Sequence, residues 1–390
     1  MLFVGIDVAK NEHECFIMDS DGTVFKNGFS FPNNRNGFDA LFKAVMDCSI
    51  PLDKIKVGLE STGHYSFNLA GFLKQSGFKV ITFNPLQVNL YRKAVSLRKT
   101  KTDKNDARFI AEMLVSENSQ SYSPVSYHIS ELKSLTRHRF RLIGYRSRLK
   151  IQISRLFDVV FPEIASIVWS VNQSSVYALA LQLPNPAAIA ACNLTKLTNI
   201  LSKGSNGRYG KDKATEIREL AKKSIGSNSP AMAFELQQTI RLIQNVSLEI
   251  DILEEKIIAM MKEINSPIMQ IKGISYTLAA MILAEIGDIS NFATPSKLLA
   301  FAGCEPSTYQ SGKFTANNTP MVKRGSAYLR YAILTAAKLV AIKCPAFTAY
   351  LHKKQDEGKH YFVALSHTGK KLVRVIFHLL KTNAAFNNAI

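Results

Sequence analysis

Residues 98–108 run Arg-Lys-Thr-Lys-Thr-Asp-Lys-Asn-Asp-Ala-Arg, which sets two carboxylates, Asp103 and Asp106, three residues apart among cations. On a helix, positions i and i+3 share a face. Thr102 is a suitable N-cap, and Ala107, Ile110, Ala111 and Leu114 carry an apolar stripe onward. The spacing therefore predicts a helix whose first turn presents both carboxylates. Lys101, Lys104 and Arg108 around them suit a polyanion, and paired carboxylates suit a divalent metal. Metal held between acidic side chains and phosphate is the chemistry of phosphoryl transfer. Taken alone, the stretch also fits a solvated, mixed-charge helix start.

The elements that must position this pair lie upstream. Residues 2–8 form a short apolar strand that reaches Asp7, and residues 13–18 and 23–31 are strands joined by the turn signal Asp19-Ser20-Asp21-Gly22. Residues 35–46 read as a helix with Phe38, Leu41, Phe42 and Val45 on one face. Residues 55–59 form a buried-type strand ending in Glu60, followed by a helix over 64–75 and a strand over 78–83. Three strands, helix, strand, helix, strand, helix is the order of the ribonuclease-H-like fold. In that order Asp7 and Glu60 close strands while Asp103 and Asp106 open the last helix, and ligands of an open sheet collect at the carboxyl ends of strands. Four carboxylates would repel one another in a low-dielectric cleft. Two Mg²⁺ ions would balance them and bridge a scissile phosphate.

With 390 residues the chain has room for two or three domains, and 46% apolar content supplies real cores. Lys and Arg total 49 against 30 Asp and Glu, a net charge of +19, which predicts attraction to nucleic acid or another anionic surface. No secretory signal or membrane-length apolar run is legible, since the stretch at 176–194 is broken by Pro184 and Pro186. The five cysteines are scattered, with no C-x-x-C pair, so no disulfide framework or zinc site is indicated and a reducing cytoplasm is the expected setting.

Three blocks, Gly5-Ile6-Asp7-Val8-Ala9-Lys10, Glu60-Ser61-Thr62-Gly63-His64-Tyr65 and Lys101-Thr102-Asp103-Lys104-Asn105-Asp106-Ala107-Arg108, resemble those of the DEDD transposases of insertion sequences. The resemblance implies a RuvC-like N-terminal domain with Asp7, Glu60, Asp103 and Asp106 as an acidic, metal-binding tetrad. It also implies Mg²⁺, with Mn²⁺ as a substitute. Some members of that family are described as RNA-guided bridge recombinases, which makes a noncoding guide RNA an expected partner.

The middle of the chain is helical and basic. Between Glu131 and Asp158 there is no acid, while Lys133, Arg137, Arg139, Arg141, Arg146, Arg148, Lys150 and Arg155 fall in the interval. Leu135, Leu142, Leu149 and Leu156 recur every seven residues, the spacing of a coiled-coil stripe. A second long helix over 230–264 carries Leu236, Ile240, Ile243, Val246, Ile250, Leu253 and Ile257 on its seam and is closed by Pro267. The two helices pair with each other or with a second protomer. Their arginines, with Arg137, Arg141 and Arg148 as examples, form either a solvated face or a track of phosphate contacts. Residues 161–229 are an insertion of short helices and Gly/Ser/Asn turns with Arg208, Lys211 and Lys213, and no chemistry is legible there.

Residues 268–280, around Lys272-Gly273-Ile274-Ser275, resemble a helix-hairpin-helix that offers backbone N–H groups to a phosphate, with Ser275 where a second glycine is usual. A plain helical hairpin fits equally. Residues 301–313, which include Gly303-Cys304-Glu305-Pro306 and Tyr309-Gln310-Ser311-Gly312-Lys313, and residues 323–330 resemble the two signature blocks of the same family's C-terminal domain. The resemblance makes Ser311 the nucleophile; Cys304-Glu305 departs from the aliphatic residues usual before that proline. By chemistry alone, Ser-Gly in a polar loop is also an ordinary turn. Ser307 and Tyr309 are competing hydroxyls, and Lys313, Lys323, Arg324 and Arg330 supply cations for a phosphate.

The expected architecture is an α/β RNase-H-like (RuvC-like) domain over 1–125, basic coiled-coil helices over 126–265 interrupted by the insertion, and a largely helical transposase domain over 266–390. The expected activity is DNA transposition or site-specific recombination in a prokaryotic cytoplasm, at the nucleoid. The expected partners are element-end and target DNA, a guide RNA and further copies of the chain as a dimer or tetramer, with no membrane. Two other classes remain open: a metal-dependent nuclease resembling a Holliday-junction resolvase, and a non-catalytic nucleic-acid-binding protein.

Overall fold

The computed structural model describes residues 1–60, 65–83, 85–95, 103–116, 127–307, 310–311, 314–315 and 320–387. The chain divides into two compact units, residues 1–123 and 124–390.

The first unit is a mixed sheet with helices on both faces. Strands β1 (Leu2–Asp7), β2 (Glu12–Asp19) and β3 (Val24–Pro32) lead into α1 (Arg35–Met46). β4 (Ile55–Glu60), α2 (Ser66–Gln75), β5 (Lys79–Phe83), α3 (Pro85–Val95) and α4 (Asp103–Ser116) follow. The sheet order is β3-β2-β1-β4-β5. β1, β2 and β3 pair antiparallel, and β1–β4 and β4–β5 pair parallel. α1 starts where the Asn34 side chain accepts the Gly37 N–H at 3.0 Å. The expected element order holds with one addition, α3, whose first residue is a proline suited to a first helical turn. The expected N-cap Thr102 lies outside the described residues.

Alternation along the strands decides which residues meet α4. Leu2, Val4 and Ile6 join a core with Leu41 of α1 and Leu69 and Leu73 of α2, and Ile55, Val57 and Leu59 of β4 enter the same core. Phe3 belongs to the opposite core with Ile110 and Leu114 of α4. Gly5 and Asp7 on β1, and Gly58 and Glu60 on β4, therefore share the α4 face. Gly5 and Gly58 are partners in register. A Cβ on Gly5 would meet the Ala107 carbonyl oxygen at 2.2 Å and the Ala111 nitrogen at 2.4 Å, and one on Gly58 would meet Ile110 Cγ2 at 2.9 Å. Two bare strand positions side by side are thus the seat on which α4 rests.

The second unit is built on two long helices, α5 (Tyr127–Val160) and, after four short helices, α10 (Pro230–Ile264). The short helices are α6 (Ser174–Gln182), α7 (Pro186–Ala191), α8 (Leu194–Gly204) and α9 (Lys211–Lys222). α10 begins at the N-cap Ser229 and ends at Asn265, in left-handed conformation. Arg139 bonds Glu254 at 2.7 Å and Gln152 bonds Glu235 at 3.0 Å, so α5 and α10 pack antiparallel within one chain. The leucine stripe does not form one continuous seam. Leu149 and Leu156 enter a core with Leu236, Ile240 and Ile243 and with α6, α8 and α9. Leu132 and Ile257 enter a different core, at the opposite end of the pair, with the C-terminal helices.

Those C-terminal elements are α11 (Tyr276–Ile286), α12 (Pro295–Phe301), β6 (Gln310–Ser311), β7 (Phe314–Thr315), α13 (Ala327–Lys343), α14 (Pro345–Asp356) and α15 (Tyr361–Thr382). No single helix among the described residues is long and apolar enough to cross a membrane.

Cys15, Cys304 and Cys344 are buried, and Cys48 and Cys192 are half-buried. Burial pushes the Cys15 thiol well up and the Cys304 thiol up to about 11. Iodoacetamide at mildly alkaline pH should therefore label Cys48 and Cys192 of the native protein and reach the other three only after denaturation. Peptide mass spectrometry checks this, and rapid native labelling of Cys304 would contradict it.

Candidate active site

Asp7 and Glu60 end adjacent strands at the carboxyl edge of the first unit's sheet. The last β1–β4 pair is Ile6 with Leu59, so Asp7 and Glu60 follow side by side on adjacent strands, both on the α4 face. α4 begins at Asp103 and passes Asp106 immediately before Ala107, the residue held against Gly5. Asp106 is 4% exposed. Its carboxylate accepts from Arg92 Nη1 at 3.3 and 3.4 Å, and Arg92 Nη2 donates to Asn89 Oδ1 at 2.9 Å. Arg92 thus answers the buried negative charge. Among the described residues no three His, Cys, Asp or Glu side chains gather closely enough to hold a metal ion. Only the backbone of Asp103 falls within the description. The chemistry of the set still fits a hard cation, since its donors are all carboxylate oxygens.

In the second unit, the two signature blocks cross each other through glycines. Gly303 has φ +64° and a Cβ there would meet the Arg324 carbonyl oxygen at 2.1 Å; Gly325 has φ +100° and a Cβ there would meet the Phe301 carbonyl oxygen at 2.1 Å. Beyond the crossing, Val322 donates to the Glu305 carbonyl at 3.0 Å and Ser307 to the Pro320 carbonyl at 2.9 Å. Further out, β6 and β7 pair Gln310 with Thr315 and Ser311 with Phe314. Ser311 therefore lies on a short strand paired with β7 rather than in an irregular loop. For Ser311 too, only the backbone is described, and Tyr309 and Lys313 lie outside the described residues.

A buried ion pair braces the foot of this arm. Glu285 on α11 is 1% exposed. It receives Arg137 Nε at 2.6 Å, Arg137 Nη2 at 3.0 Å and Ser326 Oγ at 2.7 Å. Ser326 also caps α13, accepting the Leu329 N–H at 3.1 Å. Burial pushes the Glu285 carboxyl up, but hydrogen bonds from Arg137 and Ser326 and the charge of Lys133 outweigh it and hold it below its ordinary value. Arg137 stacks on the Tyr328 ring at 4.7 Å as well. Arg137, expected on a phosphate track, is thus half-buried and tied to Glu285 and Tyr328 of this chain.

The other expected nucleic-acid contacts separate similarly. Lys104, Arg141, Arg148, Lys323 and Arg324 are exposed. Arg108 pairs with Glu112 at 2.7 Å. Arg330 Nη1 donates to the carbonyls of Lys323 at 3.0 Å and Ala302 at 3.3 Å, fastening the hairpin's foot to α13. Gly273 has φ +104°, and a Cβ there would meet the Leu339 carbonyl oxygen at 2.8 Å, so the approach it permits is to this chain's own α13. Lys101 lies outside the described residues. Arg92, Asn89 and Glu285 were not expected from sequence. The one legible signal was Glu285, the only charge within the apolar run of α11.

Comparison with known proteins covers both ends of the chain. A DEDD family described as "Transposase" matches residues 4–162, and the family described as "Transposase IS116/IS110/IS902 family" matches residues 265–352. The pilin gene-inverting protein of Moraxella lacunata is 23% identical over 397 residues, spanning 100% of this chain and 98% of its own length. The 44.8 kDa protein of insertion element IS116 from Streptomyces clavuligerus is 24% identical, spanning 100% of this chain and 96% of its own.

Proposed function

Because the chain belongs to the IS110/IS116 family of transposases, enzymes that cut and rejoin DNA, we propose that Asp7, Glu60, Asp103 and Asp106 hold divalent metal for a strand transfer in which Ser311 is the nucleophile. The observation that supports this reading is the Gly5–Gly58 seat, which holds Ala107, the residue after Asp106, against β1 two residues before Asp7. The sheet order β3-β2-β1-β4-β5, with its parallel β1–β4–β5 half, supports a ribonuclease-H-like first unit.

In this mechanism the Ser311 oxygen attacks a DNA phosphate and loses its proton, and the displaced DNA oxygen leaves, giving a phosphoserine ester that a second DNA end resolves. Mg²⁺, or Mn²⁺ in its stead, would neutralise the phosphate and favour departure of the leaving oxygen when bound to the four carboxylates. Arg92 supplies a cation beside that set. Lys323 and Arg324, exposed at the foot of the hairpin, supply others for the DNA backbone. The hairpin arm can deliver a serine to a phosphate held elsewhere, which suits a site completed only when DNA binds. Exposed Arg141 and Arg148 offer phosphate contacts along α5. A noncoding RNA as guide and assembly through the helical pair belong to the same proposal.

The test incubates the protein with labelled DNA from its element ends, its cognate noncoding RNA and Mg²⁺. A strand covalently attached to protein is expected on a denaturing gel, with the phosphate located on Ser311 by mass spectrometry and no adduct in Ser311→Ala. Phosphate on Ser307 or Tyr309 would overturn the nucleophile. Strand cleavage with no adduct would instead favour water as the attacker, as in a resolvase.

A further inference from the structure

The four short helices between α5 and α10 carry an open cavity of about 600 Å³ between the two family-matched segments. Trp169 flanks it, with Gln173, Ser174, Asn206, Arg208 and Tyr209. Trp169 is the chain's only tryptophan and is 95% exposed. An indole of that exposure adds almost nothing to the fold, because the gain from an aromatic side chain comes from removing it from water. Its backbone is nevertheless fixed on both sides. The Ile167 carbonyl accepts Lys213 Nζ at 2.8 Å, and Ser170 Oγ accepts the Asn172 N–H at 3.1 Å.

The rest of the cavity is held as firmly. Gln173 Nε2 donates to the Tyr209 hydroxyl at 2.8 Å, which sets the phenol ring. Arg208 follows a tight turn in which Asn206 and Gly207 have φ of 53° and 82° and the Gly207 N–H bonds the Ser202 carbonyl at 2.8 Å. Arg208 is exposed, and among the described residues no acid pairs with it. A bare indole, an aromatic neighbour and an uncommitted guanidinium around one polar cavity match one chemistry: a flat base that stacks and a phosphate that takes the cation. The Gln173 amide oxygen, whose Nε2 bonds Ser175 and Tyr209, and the amide of Asn206 suit the polar edge of a base. A duplex hides its π-faces, and the chain's charge of +19 favours a polyanion over a neutral partner.

We infer that this cavity binds unpaired nucleotides of an RNA or DNA strand, with a base stacked on Trp169 and its phosphate on Arg208. Neither the metal site nor Ser311 is needed for this binding.

The sole tryptophan makes the site directly readable. Full-length protein in EDTA is titrated with single-stranded RNA and single-stranded DNA of about 12 nucleotides, within the site size of small single-strand modules, and with a duplex of equal length. Single strands should quench Trp169 emission and the duplex should not. By anisotropy of a labelled strand, Trp169→Ala should weaken binding about tenfold and Trp169→Phe should restore most of it. Arg208→Gln should also weaken it and reduce the salt slope by about one unit. Tighter binding of RNA assigns the site to a guide-type strand, and tighter binding of DNA assigns it to melted target. Unchanged emission on single-strand binding, equal quenching by duplex, or wild-type affinity in both Trp169→Ala and Arg208→Gln would overturn the inference. Because the assay omits divalent metal, its outcome is separate from the fate of the catalytic proposal.

Discussion

Asp106→Asn is expected to lower strand transfer by about a thousandfold or more, the equivalent of several kcal/mol of transition-state stabilisation, while leaving the fold intact. Asparagine keeps the shape of the side chain and an oxygen for Arg92 Nη1, which stands 3.3 Å away. What it loses is the charge that a divalent cation needs. Mg²⁺ should therefore raise the melting temperature of the wild type and not that of the variant. Equal Mg²⁺ stabilisation of both proteins would remove Asp106 from the metal set. Arg92→Gln is the informative contrast. It leaves the Asp106 carboxylate, 6% exposed as a side chain, without its guanidinium, so it should destabilise the first unit more than Asp106→Asn does.

Glu285→Ala should destabilise the second unit by about 3 kcal/mol, because it strands a partly buried guanidinium and a partly buried hydroxyl together. Calorimetry should show this as a fall in melting temperature of roughly 10 °C, at a few degrees per kcal/mol for a unit of this size. The dependence on pH has a fixed sign. The folded-state pKa of Glu285 is lowered from 4.5, so its contribution is fully present above 4.5 and is lost as pH falls through the folded value. The gap in melting temperature between wild type and Glu285→Gln should accordingly be widest at neutral pH and shrink in acid. Arg137→Gln should behave as a stability variant too, with the salt dependence of nucleic-acid binding unchanged. A gap that widens in acid, or a salt slope reduced by Arg137→Gln, would contradict the arrangement.

Much of the fold was legible because local signals agreed with packing. α1 and α10 span Arg35–Met46 and Pro230–Ile264, the bounds read from the sequence, and Pro267 follows the second; their caps, Asn34 and Ser229, come from the structure. The alternation in β1 and β4 was legible as buried strands, but not the role of Gly5 and Gly58. A glycine that admits a helix looks like any other until the helix is known to cross it. α3 escaped notice because its apolar residues form no clean stripe, and Arg92 escaped with it. Leu149 and Leu156 of the leucine repeat are buried, yet the repeat implied one seam where the protein has two cores. The Arg137–Glu285 pair was not legible for the same reason: periodicity tells which face is apolar, not which cation at its margin meets a buried acid 148 residues later.

The antiparallel pairing of α5 and α10 also imposes an order of assembly. Arg139 and Glu254 are 115 residues apart in the chain, and closing a loop of that length from an unfolded state carries an entropic cost before any contact forms. The insertion removes most of it. Its exit touches its entry, with the Ser227 N–H bonded to the Val159 carbonyl at 2.8 Å, so once that small core forms the two long helices leave it as neighbours. They can then zip together away from it. During synthesis the insertion core is complete when the first turns of α10 emerge, whereas Leu132 must wait for Ile257 and for the helices beyond. The foot of the serine-bearing arm, locked by Arg137 from one end of the chain's second unit and Ser326 from the other, is thus among the last parts to become native, after the nucleotide-binding cavity already exists.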